Sequence, residues 1–108
     1  MSPKQKPAWD ALGVMFPLNL CTQCRYGYMD WNNAALLVCI IGTADTDGVC
    51  RLTNAMLTDQ YGKVSVSTTK RRVQWLVDHG WVWMRMVQTV HGTRHEILPD
   101  YERIGEAR

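Results

Sequence analysis

The sequence predicts an α+β domain, mostly helical, with a C-terminal β-hairpin. Three observations lead there. Apolar residues recur with a helical period through residues 31–79, and the pattern turns strand-like at Trp81. Turn-forming residues separate the segments: GTADTDG at 42–48, then Gly62, Gly80 and Gly92. The 108 residues, 46% of them apolar, suffice for one modest core.

The elements follow in order. Residues 1–7 (MSPKQKP) read as a flexible arm, and residues 8–16 as a short helix stopped by Pro17. Residues 18–28 suit a second helix, so 8–29 form an N-terminal helical segment. Asp30 is placed to cap a strong helix from Trp31 to about Gly42. There Ala34, Leu37, Val38 and Ile41 fall at i, i+3, i+4 and i+7, and Leu36 and Ile40 widen the stripe. This helix is expected to be central and buried. A loop over 42–48 leads to a very short strand over 49–52.

Thr53 or Asn54 caps the next helix, which runs to about Tyr61 and ends at Gly62, with Ala55, Met56 and Tyr61 expected inward. Ser65 caps a helix over 66–79 whose apolar stripe is Thr69, Val73, Leu76 and Val77. Ser67, Thr68, Lys70, Arg71 and Gln74 lie mostly on its other side. Gly80 ends it in a left-handed conformation. Residues 81–87 form a strand with Trp81 and Trp83 on one face, by the period of two. Residues 88–92 turn the chain, 93–98 return, and 101–107 make a last short helix.

Charge is distributed unevenly. The chain has a formal net charge of +2. Residues 62–95 hold six basic residues (Lys63, Lys70, Arg71, Arg72, Arg85, Arg94) against one acid, Asp78, together with His79, His91 and His95. A local cationic excess on a mildly acidic body suits a polyanion. The longest apolar run, residues 34–41, is far short of the roughly 20 residues a membrane helix needs. No secretory signal is evident, so a cytoplasmic location and no membrane partner are expected. No phosphate loop, nucleophile elbow or paired metal ligands occur, so an enzyme is not expected and no cofactor is implied.

A helix, a short turn and a second helix that is basic on one side is the helix-turn-helix layout, and a β-hairpin directly after it is a wing. The second helix must bury one stripe and offer donors to a DNA groove. Ser65, Ser67, Thr68, Lys70, Arg71 and Gln74 have the donors for phosphates and base edges. His91, Thr93 and Arg94, beside Gly92 at the hairpin tip, are placed for the flanking backbone or a minor groove. Arg72 is expected at the edge of the core and Trp75 beside the buried stripe.

The run VSVSTTKRRVQWLVDHGWVWMRM, followed by GTRHEILPDYERIGEA, resembles the winged helix-turn-helix domain of MarR-type bacterial regulators. The shared features are Ser65, Ser67 and Thr68 opening the recognition helix, Lys70 and Arg71, the apolar Val73 and Leu76, Gly80, and the arginine of the wing. The wing lacks the family's Asp-x-Arg pattern. The resemblance covers residues 31–107 and implies a winged helix-turn-helix fold over 30–108 that binds double-stranded DNA sequence-specifically as a dimeric repressor. The chain ends at Arg108, short of that family's C-terminal dimerisation helices, so homodimerisation is expected through residues 8–29. Half-sites would lie about one helical turn apart.

A plasmid or phage partition or replication protein would use the same contacts. A winged-helix protein–protein interaction module, with tryptophans as its surface, is the reading from another class. The sequence names no small-molecule effector. Cys21 and Cys24 form one CxxC, but a structural zinc site needs four ligands, so no metal is expected and packing is the expected role of the cysteines. A cysteine redox switch, known among MarR-type proteins, stays open as an alternative.

Overall fold

Asp30 opens the central helix. Its carboxylate accepts the Asn32 backbone N–H at 2.7 Å, relieving one of the orphan donors of the first turn. The computed structural model describes residues 18–62 and 64–105. Among these are five helices: α1 (Leu18–Arg25), α2 (Trp31–Gly42), α3 (Asn54–Tyr61), α4 (Val66–Asp78) and α5 (Tyr101–Ile104). The antiparallel hairpin of β1 (Val82–Thr89) and β2 (Gly92–Pro99) follows α4, making the fold α+β. The expected arm over 1–7 and helix over 8–16 lie outside the described residues. No helix among the described residues is long and apolar enough to cross a membrane.

Helix α2 packs against α3 and α4 and supplies the largest share of the core: Ala34, Leu36, Leu37, Ile40 and Ile41. Leu57 of α3, Val73 and Leu76 of α4, and Ile104 of α5 join it. Each of these buried Leu, Ile and Val side chains contributes about 1.5–3 kcal/mol. Residues 18–29 belong to the same core through Leu20, Cys24 and Met29. Asn19 Nδ2 also donates to the Arg103 carbonyl at 2.7 Å, joining the two ends of the described chain.

Several sequence expectations are corrected. In α3, Leu57 and Thr58 are buried, while Ala55 and Met56 are exposed and Tyr61 is half-buried. The Thr53 cap sets the phase of this helix, and the polar Thr58 goes inside because its hydroxyl meets that of Thr69 at 2.7 Å. Gly62 ends the helix as expected, at φ 146° and ψ −162°, a conformation that favours glycine. The expected strand over 49–52 reduces to one bridge, Cys50 with Ile97, because Leu52 already leads into the α3 cap. The last helix spans only four residues and is capped by Gly105.

Trp81 and Trp83 do not share a face. Trp81 precedes β1 and is buried, with the Arg103 guanidinium 3.9 Å from its ring centroid, whereas Trp83 is exposed on the strand. Trp81 sits in the helix-to-strand turn, where its N–H donates to Leu76 O at 2.9 Å. Gly80 makes that turn at φ +77°, and a Cβ there would lie 3.0 Å from Arg103 Nη1.

The hairpin splits along its length. Val82 and Ile97 at its base enter the core, while its far end projects into solvent. Its turn is only two residues, Val90 and His91, flanked by the pair Thr89 and Gly92. That register sets Arg85 opposite Glu96 and Val87 opposite Arg94.

Candidate nucleic-acid interface

Helix α4 begins with a hydroxyl cluster. Ser65 Oγ accepts the Thr68 backbone N–H at 3.1 Å, and the Ser65 and Thr68 hydroxyls meet at 2.9 Å. These two groups therefore serve the helix start, and Thr68 is half-buried. Thr69, Val73 and Leu76 turn inward. The 100° step per residue then sends Ser67, Lys70, Arg71 and Gln74 to the opposite side, where all four are exposed. They line one groove of about 700 Å³ whose other wall is Asp30, Asn32 and Asn33 at the N-terminal end of α2.

Neither the Lys70 ammonium nor the Arg71 guanidinium has a protein partner among the described residues. Gln74 Nε2 donates to Asp78 Oδ1 at 2.8 Å, leaving its amide oxygen available. Arg72 is different: half-buried, it donates to the Tyr61 hydroxyl, which in turn donates to Asn32 O at 2.9 Å. Arg72 thus ties α4 to α3 and α2. Trp75 is half-buried, its indole stacked on the His79 imidazole with centroids 3.8 Å apart.

The hairpin residues stand apart from this groove. His91 is exposed at the tip, its N–H donating to Thr89 Oγ1 at 3.2 Å. Thr93 donates to Gln88 Oε1 at 2.9 Å. Arg94 is below the tip, opposite Val87, and its Nη2 reaches back to Glu96 Oε2 at 3.3 Å. Glu96 is the centre of a network that sequence reasoning missed. Arg85 Nε and Nη2 contact its Oε1 at 2.8 and 2.7 Å, and Arg51 Nε donates to Oε2 at 3.0 Å. Arg51 also pairs with Asp47 at 2.9 Å and with Asp45.

Burial alone would push the Glu96 carboxyl upward. The hydrogen bonds from Arg85 and Arg51, with the charges of both, outweigh it and hold Glu96 below the ordinary glutamate range. The hydrogen bond from Arg51 likewise lowers Asp47. A signal for the network existed: a two-residue turn at 90–91 puts Arg85 and Glu96 directly across from each other. Asp30, Asn32 and Asn33 carried no comparable signal, because their placement beside α4 depends on how two helices cross.

The four described cysteines are free thiols. Burial raises the Cys24 and Cys39 thiols, which keeps them protonated. No cluster of three or more metal-ligating side chains occurs among the described residues. No family model, curated protein or solved structure matches the chain.

Proposed function

We propose that this protein binds double-stranded DNA sequence-specifically, as a small dimeric regulator with a MarR-like winged helix-turn-helix. In this reading α3 and α4 are the helix-turn-helix, α4 enters the major groove, and the hairpin is the wing. The observation that carries it is the exposed side of α4. Two cations without protein partners, a serine and a glutamine sit together there on a rigid helix backed by core residues. Lys70 neutralises a phosphate, while Arg71 and Gln74 have the donor and acceptor geometry to read base edges. The hairpin projects from the end of the same helix, as a wing must.

Homodimer formation in this reading uses the α1–α2 turn. Tyr26 and Tyr28 in that turn and Trp31 at the start of α2 are 67%, 71% and 57% exposed, and aromatic residues are enriched at interfaces. Deleting residues 1–29 does not test this, because Leu20, Cys24 and Met29 belong to the core. Tyr26→Ser with Tyr28→Ser does, with mass read by sedimentation.

The reading is tested by selecting duplexes from a random library and titrating a selected site against salt. The expected log–log slope is about −0.9 per phosphate neutralised. A second reading is favoured by Trp83, Met86 and Val90, which leave the hairpin with exposed apolar groups: a protein-interaction module. The absence of any duplex binding at low salt would select it.

A further inference from the structure

We propose that the outer edge of β1 pairs with the same edge of a second copy of this chain, antiparallel, to make a four-stranded sheet in the order β2–β1–β1–β2. This contact is independent of the DNA-binding reading and of the interface at the α1–α2 turn.

Ile97 fixes which backbone groups face outward. Its N–H donates to the Cys50 carbonyl and its carbonyl accepts the Cys50 N–H, both at 2.9 Å, so its backbone turns away from β1. Ile97 and Met84 are opposite each other in the register and therefore form a non-hydrogen-bonded pair, in which Met84 turns its N–H and carbonyl away from β2. By the period of two, Met86 and Gln88 do the same. The sheet has two strands among the described residues, so this edge of β1 has no ladder partner there.

The two edges of the hairpin differ in how they are guarded. β2 begins at Gly92, ends at Pro99, carries Arg94, His95 and Glu96, and is bridged by Cys50. Charges, proline and a covering segment are what keep an edge from pairing. β1 (VWMRMVQT) has no proline or glycine and a single charged residue, Arg85, whose guanidinium is held by Glu96 at 2.7 Å. Trp83 and Met86 are exposed along it, and Val90 at its tip. A long, apolar, unguarded edge is a template for another strand.

Symmetry and charge select the occupant. A second copy brings the same edge, so one pairing uses up both, and the guarded β2 strands become the new outer edges: the contact closes on itself. A two-fold axis at Met86 sets Met86 against Met86 of the second copy, Met84 against Gln88, Arg85 against Val87 and Trp83 against Thr89. Moving the axis to Arg85 would set two guanidinium groups directly opposite, which repels. With the axis at Met86, each Arg85 keeps its own Glu96 and brings little free charge to the contact. The pairing supplies about six backbone hydrogen bonds. So short an edge covers less than the ~1,600 Å² of a standard stable complex, so association should depend on concentration.

The test uses the full chain carrying Tyr26→Ser and Tyr28→Ser, which removes the other proposed interface. Its sedimentation mass should rise with concentration to twice that of one chain and stop there. In the ¹⁵N-labelled chain, exchange of the Met86 and Gln88 amides with deuterium should slow at least about tenfold from dilute to concentrated solution, while the Arg85 and Val87 amides, which face β2, should not change. Met86→Pro removes an outward N–H and no ladder bond of the hairpin, so it should keep the dispersed spectrum of a folded chain and weaken association at least about tenfold. Met86→Lys, which sets two cations together at the axis, should do the same, and it decides the matter if proline disturbs the hairpin. Met86→Leu should associate like the parent chain. A mass that stays at one chain, or association unchanged in Met86→Lys, overturns the contact. Growth past twice the chain without limit overturns its closed symmetry. None of these outcomes depends on whether the protein binds a duplex.

Discussion

The exposed side of α4 and the outer side of the hairpin both carry cations, but only α4 leaves them without protein partners. Lys70 and Arg71 face a groove with no ion pair among the described residues. Arg51, Arg85 and Arg94 all converge on Glu96, and Arg51 takes Asp45 and Asp47 as well. The same residue type thus does two jobs. On α4 the charge is available to a partner; on the hairpin most of it is used to fasten β1, β2 and the loop after α2. The count of basic residues over 62–95 overstates the charge on offer, because it treats Arg85 and Arg94 as the equals of Arg71.

The largest expected effect breaks the fastened side. Glu96→Ala leaves three guanidinium groups around an empty position and should cost about 3 kcal/mol, the low end for breaking a buried ion pair, since Arg85 and Arg94 are half-exposed. Urea unfolding with an unchanged slope would register it. The pH dependence has a definite sign. The folded-state value of Glu96 is lowered, so its contribution is fully present above about pH 4.3, the ordinary glutamate value, and fades as pH falls through the folded value. Glu96→Gln should lack that part of the acid transition. An unaltered acid limb would mean that the network carries no net stability.

The next effect belongs to the available side. Arg71→Ala should leave stability within about 0.5 kcal/mol of wild type, because the side chain is exposed and unpaired. It should weaken a selected duplex by about 1–3 kcal/mol and relax preference at one base pair. Lys70→Ala should instead weaken all duplexes alike and reduce the salt slope by about one. If Arg71→Ala unfolds the protein while binding survives in the folded fraction, the contrast between the two sides is reversed.

How much of this was legible in the sequence varies with the distance over which the chain must be read. The caps Asp30, Thr53 and Ser65 act within a few residues, and the periodicity of α2 and α4 is equally local. The exposed set Ser67, Lys70, Arg71 and Gln74 follows from that periodicity alone. The inward face of α3 was misread because Met56 outranks Thr58 in hydrophobicity, while the Thr58–Thr69 hydrogen bond that reverses the order joins two helices. Arg51 and Glu96 are 45 positions apart and meet only through the Cys50–Ile97 bridge, so no local pattern pointed to them. Asn33 reads in sequence as one more polar residue near a helix start, and only the crossing of α2 and α4 makes it the floor of a groove.

Arg94 draws the smallest expected effect and the sharpest distinction. The sequence placed it at the wing tip with Arg71 as a DNA contact, yet it sits below the tip with its Nη2 on Glu96 at 3.3 Å. Of the three arginines on that carboxylate it has the longest contact and is about half exposed, so the pair itself is worth no more than about 1 kcal/mol. Arg94→Ala should therefore lower stability slightly. It should weaken duplex binding less than Arg71→Ala, because Arg94 must loosen its hold on Glu96 to reach a phosphate. Arg94→Lys separates the two roles: lysine keeps the charge but loses the planar fork, so a phosphate contact should survive and the geometry at Glu96 should not. If Arg94→Ala costs as much affinity as Arg71→Ala, the guanidinium leaves Glu96 when DNA arrives. The hairpin network is then a store of charge released on binding, and the division between the two sides holds only in the free protein.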